Sequence, residues 1–224
     1  AWWYAGKRWA VILINNKADD LLYLDEPAPY NDDVWKDLGW KSCGVKRFQV
    51  VFPLVNGCSR RTGPLIPFSF DPMILRPEAL TGLIDFSERG VIHLPHLFRH
   101  WQQAGGGTIF DFIDYLESGN RQGMYVTYQV QIQAHRVSLR VHASTVDSAV
   151  SVLQSYSNYF GGGGRILSPD QIIEPGTVTV FDLSRADPVV SKLLIQHYLH
   201  ELRAYQRASL TDLENEDTLV PTLF

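Results

Sequence analysis

The stretch EPGTVTVFDLSRADPVVSKLLIQHYLHEL, residues 174–202, contains the strongest fold signal in the chain. It opens with an unbroken apolar run, VTVFDL at 178–183, which predicts a strand buried on both faces, as in a parallel sheet. Apolar side chains then recur at helical spacing and predict a long amphipathic helix over residues 186–208. These side chains are Val190, Leu193, Leu194, Tyr198, Leu199 and Leu202. A buried strand followed by such a helix indicates the α/β class.

Two other apolar runs have the same character. WAVILIN (9–15) and RFQVVFPLV (47–55) each predict a buried strand. Helices are predicted over three further segments: 76–90, 108–118 and 144–160, the last capped by Ser144. Residues 124–143 alternate in polarity over part of their length, so a hairpin and a helix both stay open there. The pattern predicts an α/β fold with a parallel sheet and helices on both of its faces.

Charge and composition exclude several classes of function. The chain has 24 Asp and Glu residues against 20 Lys and Arg, a net charge of −4, so no overall basic field predicts binding to nucleic acid or anionic membranes. No apolar run approaches the ~20 residues that span a bilayer. Cys43 and Cys58 show no metal-type spacing and predict no disulfide framework. We therefore expect a cytoplasmic protein with no membrane span in this chain.

Glycine-rich segments raise the question of a phosphate-binding loop. A Walker-type loop lies between a strand and a helix and reads G-x-x-x-x-G-K-S/T. Residues 161–164 are four glycines, but they follow a predicted helix and no lysine comes after them. Residues 105–107 are three glycines that follow no predicted strand. We interpret both runs as turns and expect no phosphate loop in this chain.

Histidines form one pattern that resembles a metal site. His93, His96 and His100 spell H-x-x-H-x-x-x-H, and three histidines on one helical face can ligate zinc. Pro95 is expected to interrupt such a helix, and no carboxylate or cysteine stands nearby to complete the set. We predict no metal site from these residues.

The order of the segments resembles that of the HerA/FtsK-like ring ATPases, the bacterial and archaeal DNA pumps. Residues 174–202 are similar to the family's "pG-hhhhDLS" strand and the long helix after it. WAVILINNKADDLLYL (9–24) resembles the strand that follows the Walker A helix, with its short polar turn. TLVPTLF (218–224) resembles the opening of the Walker B strand. The resemblance does not extend in detail over 60–160.

The resemblance implies a partial P-loop NTPase fold. Residues 1–59 would form the first part of the ATPase core, 60–160 a mainly helical insertion, and 161–224 the second part up to the Walker B strand. The Walker A lysine and the Walker B acids then lie outside these residues. The chain by itself is expected not to hydrolyse ATP, whereas the parent protein is expected to be an ATPase.

The resemblance also implies functional residues. Asn15 stands where the family's strand ends in an acidic residue, and Lys17 and Asp19 stand in the turn that follows, where Ala18 replaces the usual glycine. Asn15 and Lys17 are expected near the nucleotide and Asp19 in a catalytic role, orienting magnesium-bound or attacking water. A competing interpretation has Asp19 capping a helix over DDLLYL. Arg185 is the first candidate for an arginine finger.

Cofactors and partners follow from the same resemblance. The parent is expected to bind ATP and Mg²⁺, to assemble as a hexameric ring, to pull double-stranded DNA through its pore, and to work with a nuclease. Arg203 and Arg207 are further candidates to face a neighbouring subunit. Two alternatives stay open: a conjugation or secretion ATPase of the same superfamily, and a non-catalytic α/β interaction domain.

Overall fold

The chain divides into two compact units. The computed structural model describes residues 3–4, 7–17, 19, 21–27, 36–39, 42–83, 88–132, 135–161, 164–211 and 222–223. The first unit comprises Ala1–Phe68, Leu167–Ala186 and Glu201–Phe224, and the second comprises Ser69–Ile166 and Asp187–His200.

The elements alternate between strands and helices along much of the chain. The strands are β1 (Trp3–Tyr4), β2 (Lys7–Arg8), β3 (Ala10–Asn15), β4 (Phe48–Pro53), β5 (Leu65–Phe68), β6 (Asn120–Gln122), β7 (Tyr125–Ile132), β8 (His135–His142), β9 (Val178–Asp182) and β10 (Thr222–Leu223). The α-helices are α1 (Glu88–Gln103), α2 (Ile109–Glu117), α3 (Ala143–Ser155), α4 (Pro169–Ile172) and α5 (Pro188–Thr211). Short 3₁₀ helices cover Pro77–Gly82 and Ser157–Tyr159.

The first unit is built on a parallel sheet in the order β10-β3-β9-β4-β5. Every neighbouring pair in this sheet runs parallel. The three predicted buried strands are confirmed as β3, β4 and β9, and they lie side by side with β9 in the middle. β1 and β2 form a separate antiparallel pair. The α/β class and the parallel sheet predicted from the apolar runs are thus confirmed.

One face of the parallel sheet carries an apolar core. Alternate residues of β3, β4 and β9 point to this face because side chains in a strand alternate between faces. The buried members of the core are Val11, Leu22, Phe48, Val50, Phe52, Val178 and Val180. Thr179 lies on the opposite face, where its Oγ1 accepts a hydrogen bond from Gln49 Nε2 (2.8 Å) and donates one to the Ile172 carbonyl (3.0 Å). Both faces of the central strand are therefore buried.

The second unit combines helices with a three-stranded antiparallel sheet in the order β6-β7-β8. The hairpin of β7 and β8 settles the ambiguity at 124–143 in favour of strands. Residues 60–160, for which a mainly helical insertion is expected, contain this sheet beside their helices, and they also contain β5, which belongs to the first unit. Period-two alternation in YVTYQVQI outweighs any helical pattern in this segment.

The helices predicted over 108–118, 144–160 and 186–208 are confirmed with changes at their ends, whereas the segment 76–90 contains a 3₁₀ helix at Pro77–Gly82 and Gly90 lies inside α1 instead of ending a helix. Thr108 caps α2 in a capping box with Asp111, as expected for the segment 108–118. α3 begins one residue before the expected cap, with His142 as its N-cap in place of Ser144. The helix over 186–208 is confirmed as α5.

Pro95 does not interrupt its helix, contrary to expectation, and lies inside α1. An interior proline removes one helical hydrogen bond and costs about 3 kcal/mol. The burial of Leu94, Leu97, Phe98 and Trp101 on α1 opposes that cost.

Candidate functional site at the carboxyl edge of the parallel sheet

Two polar side chains stand at the carboxyl ends of β3 and β9. Asn15 and Asp182 are the last residues of these strands and are direct partners in the parallel register. Both lie on the face that carries the apolar core, two residues beyond Leu13 and Val180. Asn15 is 1 % and Asp182 3 % exposed. The sheet therefore places an amide and a carboxylate together in a buried position.

The two oxygens of the Asp182 carboxylate have different surroundings. Oδ1 accepts hydrogen bonds from Asn15 Nδ2 (3.0 Å), Ser184 Oγ (2.7 Å) and the Ser184 backbone N–H (3.2 Å). Oδ2 is buried and accepts no hydrogen bond from any residue that the structure describes. A buried carboxylate oxygen without a donor is energetically unfavourable and is uncommon in folded proteins. Asp182 is thus held in a fixed orientation by the donors on Oδ1.

The loop after β4 contributes Asn56 to the region at the carboxyl ends of β3 and β9. Asn56 Nδ2 donates a hydrogen bond to the backbone carbonyl of Arg185 (3.0 Å). Asn56 Oδ1 is buried and has no partner within the described part of the chain. The Leu183 N–H donates to the Asn15 carbonyl (2.9 Å), which extends the pairing of β3 and β9 by one residue. Two buried acceptor oxygens, Asp182 Oδ2 and Asn56 Oδ1, thus have no hydrogen-bond donor among the described residues.

Cys58 lies beside the Asp182 carboxylate on the same loop. Burial raises the pKa of the Cys58 thiol, and the neighbouring carboxylate raises this pKa further. The backbone hydrogen bond at Arg60 and the positive charge of Arg185 act in the opposite direction. A raised pKa favours the protonated thiol at neutral pH. We call Asn15, Asn56, Cys58, Asp182, Ser184 and Arg185 the edge cluster.

A buried ion pair supports the loops next to this edge. Arg60 donates to both oxygens of Asp25 (2.5 and 2.6 Å), to the Leu22 carbonyl (2.5 Å) and to the Thr62 carbonyl (2.6 Å). The hydrogen bonds from Arg60 lower the pKa of Asp25 against the effect of burial. Arg60 therefore fixes the segments before and after β4 with charge-assisted hydrogen bonds.

The residues predicted from the sequence take several different positions. Asn15 is a central member of the edge cluster, and Arg185 belongs to it through its backbone while its side chain is exposed. Lys17 and Asp19 follow β3 and are both exposed. Asp19 Oδ1 accepts a hydrogen bond from Ser59 Oγ (2.5 Å), and residues 21–25 form turns, so Asp19 caps no helix.

The arginines on α5 belong to a separate element. Arg203 and Arg207 lie on the later turns of this helix with exposed side chains, as expected for its polar side. The buried stripe of α5 consists of Val190, Leu193, Leu194, His197, Tyr198 and Leu202. The predicted apolar face is thus confirmed, apart from the added His197 and the half-buried Leu199.

Sequence reasoning missed the best-placed candidate residue, Asp182. Its signal was present, since an acidic residue ends the otherwise apolar run VTVFD, and a charge at the end of a doubly buried strand needs an explanation. Asn56 and Cys58 carried no such signal, because the sequence reads there as an ordinary turn. Only the pairing of β9 between β3 and β4 brings them to one edge.

A divalent metal can be accommodated only in part by these side chains. The described residues contain no group of three or more His, Cys, Asp or Glu side chains arranged to hold a metal ion. Mg²⁺, however, often takes one or two protein carboxylates and completes its shell with water and substrate phosphates. Asp182 supplies one such carboxylate, with its Oδ2 buried in this structure.

Comparison with known proteins gives no assignment. The chain matches no known protein-family profile, and a search among curated proteins finds no significant relative. In the part of the chain that the structure covers, no helix has the length and apolar character needed to cross a membrane.

Proposed function

We propose that this chain is part of an ATP-driven DNA translocase similar to the HerA/FtsK-type ring ATPases, and that the edge cluster lies at its nucleotide site. The observation that carries the proposal is Asp182, a buried carboxylate with one oxygen fixed by three donors and the other without a hydrogen-bond donor among the described residues. It stands at the carboxyl edge of a parallel sheet, which is where open α/β sheets bind their ligands. The resemblance of residues 174–202 supports the same conclusion.

Four residues of the edge cluster have roles in this proposal. Asn15 and Ser184 orient Asp182, and its Oδ2 accepts a hydrogen bond from attacking water or from water on Mg²⁺. The Arg185 side chain is exposed and follows the strand end, so it can reach a phosphate and stabilise the charge that develops on it. Lys17 adds positive charge on the same side of β3. ATP itself supplies the chemistry, which is transfer of its γ-phosphoryl group to water.

The broader parts of the proposal rest on the resemblance. These are the hexameric ring, double-stranded DNA as cargo, a nuclease partner and the roles of Arg203 and Arg207 across a subunit boundary. A conjugation or secretion ATPase would share the nucleotide site and move another cargo. Stimulation of ATP turnover by duplex DNA separates the two.

The test is turnover by the protein encoded by the complete gene. Arg185→Ala should lower DNA-stimulated kcat by at least ~10-fold with little change in KM for ATP, since the lost interaction exists mainly in the transition state. Asp182→Asn should lower kcat at least as much. Arg47→Ala is the matched control, because Arg47 directly precedes β4 at the opposite, amino edge of the same sheet and pairs with Glu174. Normal turnover in both edge variants would remove the edge cluster from the nucleotide site, and no ATP turnover by the unaltered protein would overturn the proposal in favour of a non-catalytic interaction domain.

A further inference from the structure

The three-stranded sheet of the second unit has one packed face and one open face. Val126, Tyr128, Val130 and Val141 are buried on the packed face, where Tyr128 Oη donates to the Leu116 carbonyl (2.5 Å). The residues between them point the other way because strand side chains alternate. We call these the outer face: Asn120, Gln122, Tyr125, Thr127, Gln129, Gln131, Arg136, Ser138, Arg140 and His142.

The outer face is polar and carries positive charge only. The sequence has no Asp or Glu between Glu117 and Asp147, although the chain as a whole has a net charge of −4. Arg136 and Arg140 are exposed, and neither forms an ion pair with a described residue. Charge is thus segregated onto this sheet in a chain that is otherwise acidic.

The geometry of the two arginines is defined by the sheet. They lie four residues apart on β8, which places their Cα atoms about 13 Å apart. The Arg140 guanidinium lies over the Tyr125 ring at 3.9 Å from its centroid, and the His142 ring meets the same tyrosine edge-on at 5.5 Å. The stacked arginine is held in position, and the one aromatic ring of the outer face is covered.

We propose that the outer face binds the phosphate backbone of double-stranded DNA. Arg, Gln, Asn, Ser and Thr side chains supply most protein contacts to phosphates. The separation of the arginines is close to the ~12 Å width of the major groove, so both can contact phosphates on its two rims. Single-stranded DNA is disfavoured because its binding relies on exposed aromatic rings for base stacking, and Tyr125 is already covered.

This inference deepens the proposed function, which names duplex DNA as cargo, but it stands on the charge and register of the second unit. Two phosphate contacts give weak binding with a marked salt dependence. The logarithm of the association constant should fall with the logarithm of salt concentration with a slope near −2, at about −0.9 per phosphate neutralised.

The test is fluorescence anisotropy of a labelled duplex of about 20 base pairs, titrated with the whole chain at low salt without nucleotide. The double variant Arg136→Gln/Arg140→Gln should weaken binding at least ~10-fold and remove the salt slope. Arg136→Lys/Arg140→Lys should keep most of the slope, because a lysine also neutralises a phosphate. Arg121→Gln is the matched control, since Arg121 lies on the same sheet and its charge is already paired with Asp147.

Several results would overturn the inference: no binding of the duplex by the unaltered chain, equal loss in the Arg121 variant, or an unchanged slope in the double Gln variant. If the chain bound phosphatidylserine vesicles through these arginines but did not bind the duplex, the outer face would be a membrane-binding surface. That result would also overturn the inference. The result of this binding test can be distinguished from the result of the ATP-turnover test of the proposed function. If the outer face binds DNA but the complete protein does not turn over ATP, this inference stands and the proposed ATPase function is wrong. If the complete protein turns over ATP but the outer face does not bind DNA, the proposed function stands and this inference is wrong.

Discussion

The two units bury polar groups in opposite ways. The first unit buries charged side chains, Arg60 at 5 % exposure and Asp182 at 3 %. The second unit buries polar rings that stay neutral. Its His197 is 4 % exposed with a pKa lowered to about 4, and burial raises the pKa of Tyr115 to about 12. Arg136 and Arg140 of its sheet lie on the exposed outer face instead.

The number of hydrogen-bond partners around a buried charge helps to distinguish a structural residue from a functional one. Burying a charge is costly unless donors or an opposite charge surround it. Arg60 has such partners at every nitrogen, whereas Asp182 has them at only one of two oxygens. A well-satisfied buried charge indicates a structural role. A half-satisfied one at the edge of a parallel sheet indicates a binding or catalytic role.

The largest expected effect is that of removing Arg60. Arg60→Met should lower the free energy of unfolding by about 3 kcal/mol, because Asp25 and the Leu22 carbonyl lose their donors inside the protein. Arg47→Met should lower it by less than ~0.5 kcal/mol, since the pair of Arg47 with Glu174 is solvent-exposed. Urea denaturation at pH 7 measures both. A loss below ~1 kcal/mol for the Arg60 variant would show that the first unit does not depend on its buried charge.

The next largest effect is the pH dependence of stability that the buried His197 causes in the second unit. Burial, with a smaller contribution from the charge of Arg76, lowers the pKa of His197 from 6.5 to about 4. The unfolded chain therefore takes up a proton between these values while the folded chain does not, so stability is full above the unfolded pKa and falls as pH drops towards 4. From pH 7 to pH 5 the loss from this group should be about 2 kcal/mol.

His197→Leu checks that assignment. The ring packs edge-on against Phe70 and Tyr198, at 6.4 and 4.8 Å between ring centroids, so an apolar replacement suits the site. The variant should lose stability less steeply over the same pH interval in urea titrations. An equal slope in variant and parent would place the acid sensitivity on another group.

Much of the fold could be predicted from the sequence because buried strands and helices carry apolar residues in recognisable runs or at helical spacing. The runs VILIN and VTVFD are buried on both sides in the parallel sheet, and the stripe of Val190, Leu193 and Leu194 reports the packed face of α5. Prediction failed where local signals conflict. Pro95 opposes helix locally, yet the packing of α1 retains it, and the partial alternation at 124–143 left strand and helix undecided until cross-strand pairing fixed β7 and β8.

The candidate site could be predicted only in part, since it depends on strand order. Asn15 and Arg185 come from strand ends visible in the sequence, and the structure places both in the edge cluster. The contribution of Asn56 requires β4 to lie next to β9, which no local pattern encodes. The buried state of Arg60 was equally hidden, because arginines are mostly exposed and its partner Asp25 lies 35 residues away.

The stability of two Asp182 variants tests the central claim most directly. Asp182→Ala should lower the free energy of unfolding by about 1–3 kcal/mol, since the donors of Asn15 and Ser184 lose their acceptor. Asp182→Asn keeps an acceptor for those donors and removes the buried charge with its unpartnered oxygen, so its free energy of unfolding should equal or exceed that of the unaltered chain. If Asp182→Asn instead loses as much stability as Asp182→Ala, the carboxylate is a structural group and the edge cluster is not a functional site.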